Sequence, residues 1–337
     1  MRPLPGLLAS ALVALAGCQR AETRVVVYCA QDREFAEGVF ADFERETGLT
    51  VVPKFDTEAN KSVGLVEELR REAGRPRADV HWNNEPIGTV RLQRDGLYDP
   101  YESPSAAPFP GFTRPADRTW QAFAARARVL VVNTSLVPNP VDYPKSAFDL
   151  AELKWKGKVA LAKPQFGTTA THAACLFETA GADRAKEFFR RLKANDVRLV
   201  AGNKQVATGV AAGEAAVGVT DTDDALIEIQ AGKPVAMVFP DADGLGTLFL
   251  PNTVAVLKGA PNPAGARRLV DYLLRADTEK RLAEGGGYQL PLNPQVKPAL
   301  PEPLRPGLTV KRMAVDFGRV ADRWDEVQAF LRDEFAR

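Results

Sequence analysis

Two long strand-like stretches interrupt an otherwise short alternation of strands and helices, and they constrain this chain more than any other feature. Residues 123–133 form the first, with Ala125-Arg126-Ala127-Arg128-Val129-Leu130-Val131-Val132-Asn133 at its heart, and residues 246–257 form the second. Before the first, the β-branched run Val25-Val26-Val27-Tyr28-Cys29 reads as a buried strand. Residues 32–47 place Phe35, Val39, Phe40 and Phe43 at helical spacing, and Gly48 closes that helix. A strand opens at Leu49, a helix over 61–73 puts Val63, Val66 and Leu69 on one face, 78–82 is a third strand and 87–94 a short helix. The order βαβαβ implies a parallel sheet with helices on both faces.

After residue 133 the alternation resumes. Ser146 and Asp149 have capping-box spacing. Strands are predicted at 158–162, 197–200, 215–219 and 235–239, and helices at 169–179, 183–194, 206–212, 264–275 and 278–284. A final helix near 319–335 carries Val320, Trp324, Val327 and Leu331. Two α/β sets separated by two long stretches suggest a chain that builds one lobe, crosses to a second and returns. The predicted class is α/β, with two lobes joined by paired hinge strands that can close on a ligand. The expected division is 24–124 plus 253–287 for lobe 1 and 125–252 plus 288–337 for lobe 2.

Composition narrows the function. A chain of 337 residues has room for two lobes. With 44 Lys and Arg against 43 Asp and Glu the net charge is +1, so there is no basic field to gather nucleic acid. Three Cys make no disulfide framework, and the motifs GxSxG, HExxH and GxxxxGK[ST] are missing from the sequence. Gly244-x-Gly246 lacks the third Gly of a dinucleotide fingerprint, and Asp241-x-Asp243-Gly244 lacks the closing Glu of a calcium loop. No catalytic residues are assigned and no enzyme is expected.

The N-terminus has one Arg, then the apolar run 7–15, which is short for a membrane helix and suited to a secretory signal. Leu15-Ala16-Gly17-Cys18 resembles a bacterial lipobox. Residues 1–17 therefore read as a lipoprotein signal peptide, Cys18 as the lipidated residue and 18–23 as a tether. The mature protein is expected outside the cytoplasm, anchored to a membrane by lipid. Cys29 and Cys175 are expected to be buried thiols.

Three clusters could carry binding chemistry. Phe166-Gly167-Thr168-Thr169-Ala170-Thr171-His172 follows a strand and opens a helix. Backbone N–H groups at a helix start, with added hydroxyls, suit an anion. Thr220-Asp221-Thr222-Asp223-Asp224 lies past the C-terminal end of a strand, the edge that faces the crevice in open α/β sheets. Three carboxylates so close repel unless a cation, an amine or hydroxyls satisfy them. The third cluster gathers Tyr28, Gln31, Asp32, the stretch Asp56-Thr57-Glu58-Ala59-Asn60-Lys61, and Asn83-Asn84-Glu85, all after strands. Arg126, Arg128, Asn203 and Tyr288 are weaker candidates. His81, inside a strand, reads as structural, and Trp120, Trp155 and Trp324 as packing; Trp82 borders the crevice and stays open.

The lipobox, the strand Val25-Val26-Val27-Tyr28, the helix ending Phe43-Glu44-Arg45-Glu46-Thr47-Gly48, and Ala78-Asp79-Val80 before a crevice loop resemble bacterial solute-binding proteins of ABC importers. Gly213-Glu214-Ala215-Ala216-Val217-Gly218, Asn262-Pro263-Ala264 and Tyr272-Leu273-Leu274 continue the pattern of the ferric-iron-binding branch. The resemblance implies a type II-like periplasmic-binding-protein fold, a permease and its ATPase as partners, a monomer, and hinge closure on a small polar ligand. It implies ferric iron with a synergistic anion, on the anion loop Gly167, Thr168 and Thr169 with Thr171 beside it. Metal positions would be Tyr28, Glu85, Asp223 and Asp224, with Asp32, Glu58, Asn84 and Asp221 around them. The branch's tyrosine pair falls on Asp223 and Asp224, so both phenolates are replaced by carboxylates. Relatives changed there resemble binders of sugar phosphates or aminophosphonates, which is the alternative ligand class. More remote alternatives are an extracytoplasmic metal-dependent hydrolase and a signalling receptor lobe.

Overall fold

The computed structural model describes residues 23–56 and 63–335. The signal peptide, Cys18, most of the tether and Glu58 lie outside the described residues. β1 (Arg24–Cys29), β2 (Thr50–Phe55) and β3 (Val80–Asn83) are parallel with β1 in the middle. α1 (Arg33–Thr47) turns Ala36, Val39, Phe40 and Phe43 inward and stops at Gly48, whose φ of 70° is left-handed and strained for a residue with Cβ. α2 (Val63–Arg71) buries Val66 and Leu69 as expected, with Leu65 rather than Val63 beside them; α3 (Pro86–Arg94) and the short β4 (Tyr98–Asp99) come next.

β5 (Gln121–Asn133) is buried along all 13 residues. Beyond it come β6 (Val159–Ala162), α4 (Gly167–Thr179), α5 (Ala182–Ala194), β7 (Arg198–Val200), α6 (Asn203–Ala211), β8 (Val217–Asp221), α7 (Thr222–Gln230) and β9 (Val235–Val238). The return is β10 (Phe249–Leu257), then α8 (Pro263–Leu273), α9 (Ala276–Glu284), α10 (Phe317–Asp322) and α11 (Trp324–Phe335). The strands run β2-β1-β3-β10-β5-β8-β6-β7, with β4 on β10 and β9 on β5. β5 thus serves two half-sheets. Its first part pairs antiparallel with β10, and the part from Arg128 onward pairs with β8 and β9. The fold is the two-lobe α/β architecture expected.

The second long stretch is shorter than its pattern suggested. Gly246 and Thr247 sit against Arg312, whose backbone comes within 2.6 Å of where a Gly246 Cβ would be, so β10 begins only at Phe249. The last helix breaks at Arg323: α10 packs on α3 and α4, α11 on α4 and α5, and the break lets Val320, Val327 and Leu331 enter one core.

The crossing is kinked. Ala124 in β5 has φ 37°, opposite a register shift at Pro251/Asn252 in β10. The fully buried Glu279 accepts from the N–H groups of Ala124 (2.7 Å), Leu292 (3.0 Å) and Asn293 (2.9 Å), while Asn252 donates to the Ala124 carbonyl. Asp79 of the Ala78-Asp79-Val80 motif accepts from the N–H groups of Val26 and Asn262, tying β1 to the start of α8. His81 is structural, its Nδ1 2.7 Å from the Tyr98 hydroxyl. Trp82 is core as well, packed on Phe40 and Phe123. Cys29 and Cys175 are buried and unbridged.

Candidate functional site

A cleft of about 280 Å³ opens where α1, the loop after β3, β5, α4, α6 and α7 converge. Asp32, Glu34, Phe35 and Asn84 come from the first half of the chain. Arg126 comes from β5, and Lys163, Phe166, Gly167, Thr168, Thr169, Asn203, Lys204, Asp221, Asp223 and Asp224 from the second half.

The acidic cluster is held at the end of β8 and in the first turn of α7. Oxygens of Asp221, Asp223 and Asp224 lie within 4.8 Å of one another. Asp221 occupies the N-cap position of α7 without capping it. Instead it accepts from Arg128 Nη1 (2.7 Å), Thr168 Oγ1 (2.8 Å), Asn203 Nδ2 (3.2 Å) and Arg126 Nη1 (3.4 Å). Burial pushes its carboxyl up, but Arg128 and Arg126 outweigh that and hold it below 3.8. Asp221 is therefore an internal counter-ion. Asp223 and Asp224 also line the cleft, where Arg126 Nη1 lies 3.8 Å from Asp223 and Thr220 donates to Asp224 at 3.2 Å.

α4 begins two residues earlier than its periodicity suggested. Gly167 has φ 55°, which turns the chain into the helix, and Phe166 at the N-cap offers no side-chain acceptor to the first turn. Thr168 and Thr169 are not plain caps. Thr168 accepts from Arg128 and Asn203 and donates to Asp221; Thr169 accepts from Arg128 and donates to Asn203. An arginine from the crossing strand thus orients the hydroxyls of the expected anion loop. His172 nearby is pushed down to about 3 by burial, with Arg128 adding to the effect, so it stays neutral at ordinary pH.

The structure removes several predicted residues from the cleft. Tyr28 turns toward α2 and donates its hydroxyl to Glu72 at 2.9 Å; burial and that carboxylate raise its pKa. Glu85 caps α3, accepting from Ile87 (2.7 Å) and Gly88 (2.8 Å), and Thr171 donates to it at 3.0 Å. Glu85 and Thr171 therefore join the two halves behind the cleft rather than lining it. Tyr288 donates to Gln230. Among the described residues, none of the chain's six tyrosines lines the cleft. Asp32 and Asn84 do line it, and Arg126 donates to the Asn84 carbonyl at 2.8 Å. Lys163 and Lys204 were not foreseen. The only signal was their place beside the Phe166 loop and at the start of α6.

Several known proteins resemble this chain in sequence or in fold. "Iron uptake protein A1" of Synechocystis sp. is 26% identical over 281 residues, covering 80% of this chain and 76% of that protein. The structure of iron-bound HitA from Pseudomonas aeruginosa superposes with a TM-score of 0.81 at 21% identity, covering 93% of this chain and 99% of that one. AfuA from Actinobacillus pleuropneumoniae, solved with fructose-6-phosphate, superposes at 0.80 with 23% identity, covering 93% and 98%. The two solved structures share this chain's fold over nearly all of its length. The model of the bacterial extracellular solute-binding protein family matches residues 89–317, more than half of the sequence, so the chain belongs to that family.

Proposed function

We propose that this protein captures ferric iron together with a companion anion for an ABC importer, handing it to a permease driven by its ATPase. The observation that carries this reading is the pairing of Asp223 and Asp224 with the uncapped start of α4 in one cleft. Ferric iron is a hard cation suited to carboxylate oxygen. The N–H groups of α4 and the hydroxyls of Thr168 and Thr169 suit the anion. The names of iron-binding relatives support the same choice. Residues 24–124 plus 253–287 and residues 125–252 plus 288–337 act as the two lobes, which close about the kink at Ala124. The protein works as a monomer outside the cytoplasm, tethered by lipid on Cys18. The test is metal analysis after incubation with ferric citrate: one iron per chain is expected. Protein that takes up no iron yet binds a phosphorylated compound overturns this reading.

A second reading, a phosphorylated organic such as a sugar phosphate or aminophosphonate, draws on the tyrosine-free cleft and on Lys163 and Lys204. In that case the aspartates accept from hydroxyl or ammonium groups, and chelators leave binding intact.

A further inference from the structure

The parallel strands β1, β2 and β3 run toward the cleft, where Asp32 and Asn84 follow β1 and β3, and all three start at the opposite edge of their half-sheet. β1 has six residues, so the two edges are roughly 20 Å apart. Three chain segments meet at the far edge. The Thr23 carbonyl, just before β1, accepts from the Thr50 N–H at 2.8 Å. Asn262, at the start of α8, donates to the Arg24 carbonyl at 2.8 Å. A Cβ on Gly259 would lie 3.5 Å from Pro76, in the loop that leaves α2.

This edge is basic. Arg24, Arg71, Arg75, Arg77, Lys258 and Arg268 are all exposed. Among the described residues, Arg24, Arg71, Arg75 and Lys258 have no ion-pair partner. Arg77 reaches Glu72 only at 3.6 Å, and Arg268 reaches the Thr47 carbonyl at 3.4 Å. The carboxylates around them are engaged. Glu44 accepts from the Val51 N–H, Glu72 from the Tyr28 hydroxyl, and Asp79 from the N–H groups of Val26 and Asn262. Glu46 pairs with Arg275, and Arg70 is shared by Asp95 and Glu67. With Arg70 and Arg275 included, cations still outnumber carboxylates on this edge, in a chain whose net charge is only +1.

The place where the tether enters identifies what covers this edge. Cys18 precedes Thr23 by five residues, and extended chain spans at most about 3.3–3.6 Å per residue, so lipid on Cys18 keeps the edge within about 18 Å of the headgroups. Arg20 and Glu22 of the tether cancel in charge. Resting on the lipid-tether reading, we propose that this edge is a membrane-docking surface for anionic phospholipid headgroups, with Arg71, Arg75 and Arg77 at its centre. The lipid attaches the protein, and the basic edge orients it by attraction to the negative surface. The cleft is then held a strand's length above the bilayer.

The test is co-sedimentation of the mature chain carrying Cys18→Ser, which cannot be lipidated, with two kinds of vesicle. One mixes phosphatidylglycerol with phosphatidylcholine, and the other is phosphatidylcholine alone. At low salt the bound fraction should be at least about fivefold higher on the anionic vesicles. It should vanish at about 1 M salt, where screening shortens to about 3 Å. Arg71→Gln, Arg75→Gln and Arg77→Gln together should lower it at least about fivefold, whereas Lys154→Gln with Lys156→Gln, exposed cations of the second half, should change it less than about twofold. Equal loss in both variants, or equal binding to both vesicles, overturns the docking surface. Palmitate labelling of the full chain tests Cys18 separately. Label without vesicle binding overturns the surface and leaves the tether; vesicle binding without label overturns the tether and leaves the surface.

Discussion

The loops after β3 and after β8 hold similar side chains and use them in opposite ways. Glu85, after β3, is solvated by N–H groups of its own helix and by Thr171. Asp221, Asp223 and Asp224, after β8, are faced by side chains from β5, α4 and α6. A buried carboxylate satisfied by its own backbone is a structural part. Side chains from several elements hold Asp221 as an internal counter-ion and leave Asp223 and Asp224 on the wall of the cleft. The first loop secures the frame, and the second builds the cleft.

The largest effect expected from breaking this contrast is on iron affinity. Asp223→Asn should lower it at least about a hundredfold, about 2.8 kcal/mol, because an amide is a neutral donor. Glu85→Gln should leave it within about threefold. Equilibrium dialysis against citrate compares the two, and equal losses would erase the distinction. Next is the double change Thr168→Ala with Thr169→Ala. Hydrogen bonds to charged groups are worth about 1.5–3 kcal/mol, so affinity should fall at least about tenfold in titration calorimetry.

Stability should separate the regions by the sign of its pH dependence. Burial raises the Glu85 carboxyl above 4.5, and its hydrogen bonds only partly oppose this. Its contribution to folding is therefore present at low pH and lost as pH rises through the folded value. Asp221 is held below 3.8, so its contribution is present above 3.8 and lost as pH falls through the folded value. Urea unfolding across pH should show Glu85→Gln flattening the slope above 4.5 and Asp221→Asn flattening it below 3.8. The same slope change in both variants would contradict the contrast.

The smallest effect concerns Tyr28. Tyr28→Phe loses its bond to Glu72, worth about 1 kcal/mol of stability, and should leave the visible spectrum of iron-loaded protein unchanged. A charge-transfer band that disappears in this variant would return Tyr28 to the metal.

Much of the frame was legible because periodicity and punctuation are local. Phe35, Val39, Phe40 and Phe43 announce α1, Gly48 ends it, and the run from Ala125 to Asn133 announces the crossing strand. The Thr168-Thr169 and Asp221-Asp223-Asp224 clusters were visible as residue types after strands, and they do meet in one cleft. Which carboxylate faces which partner was not local. The competition for Asp221 is decided by Arg126 and Arg128, separated from it by 95 and 93 residues. The direction of Tyr28 depends on Glu72 just after α2, and the kink at Ala124 is held by Glu279, 155 residues away. Strand order and burial set those pairings, because a charge in a low-dielectric interior takes whichever partner packing brings within reach. Sequence alone therefore determined the lobes' building blocks and the candidate chemistry, and tertiary structure alone decided which of those groups remain available to a ligand.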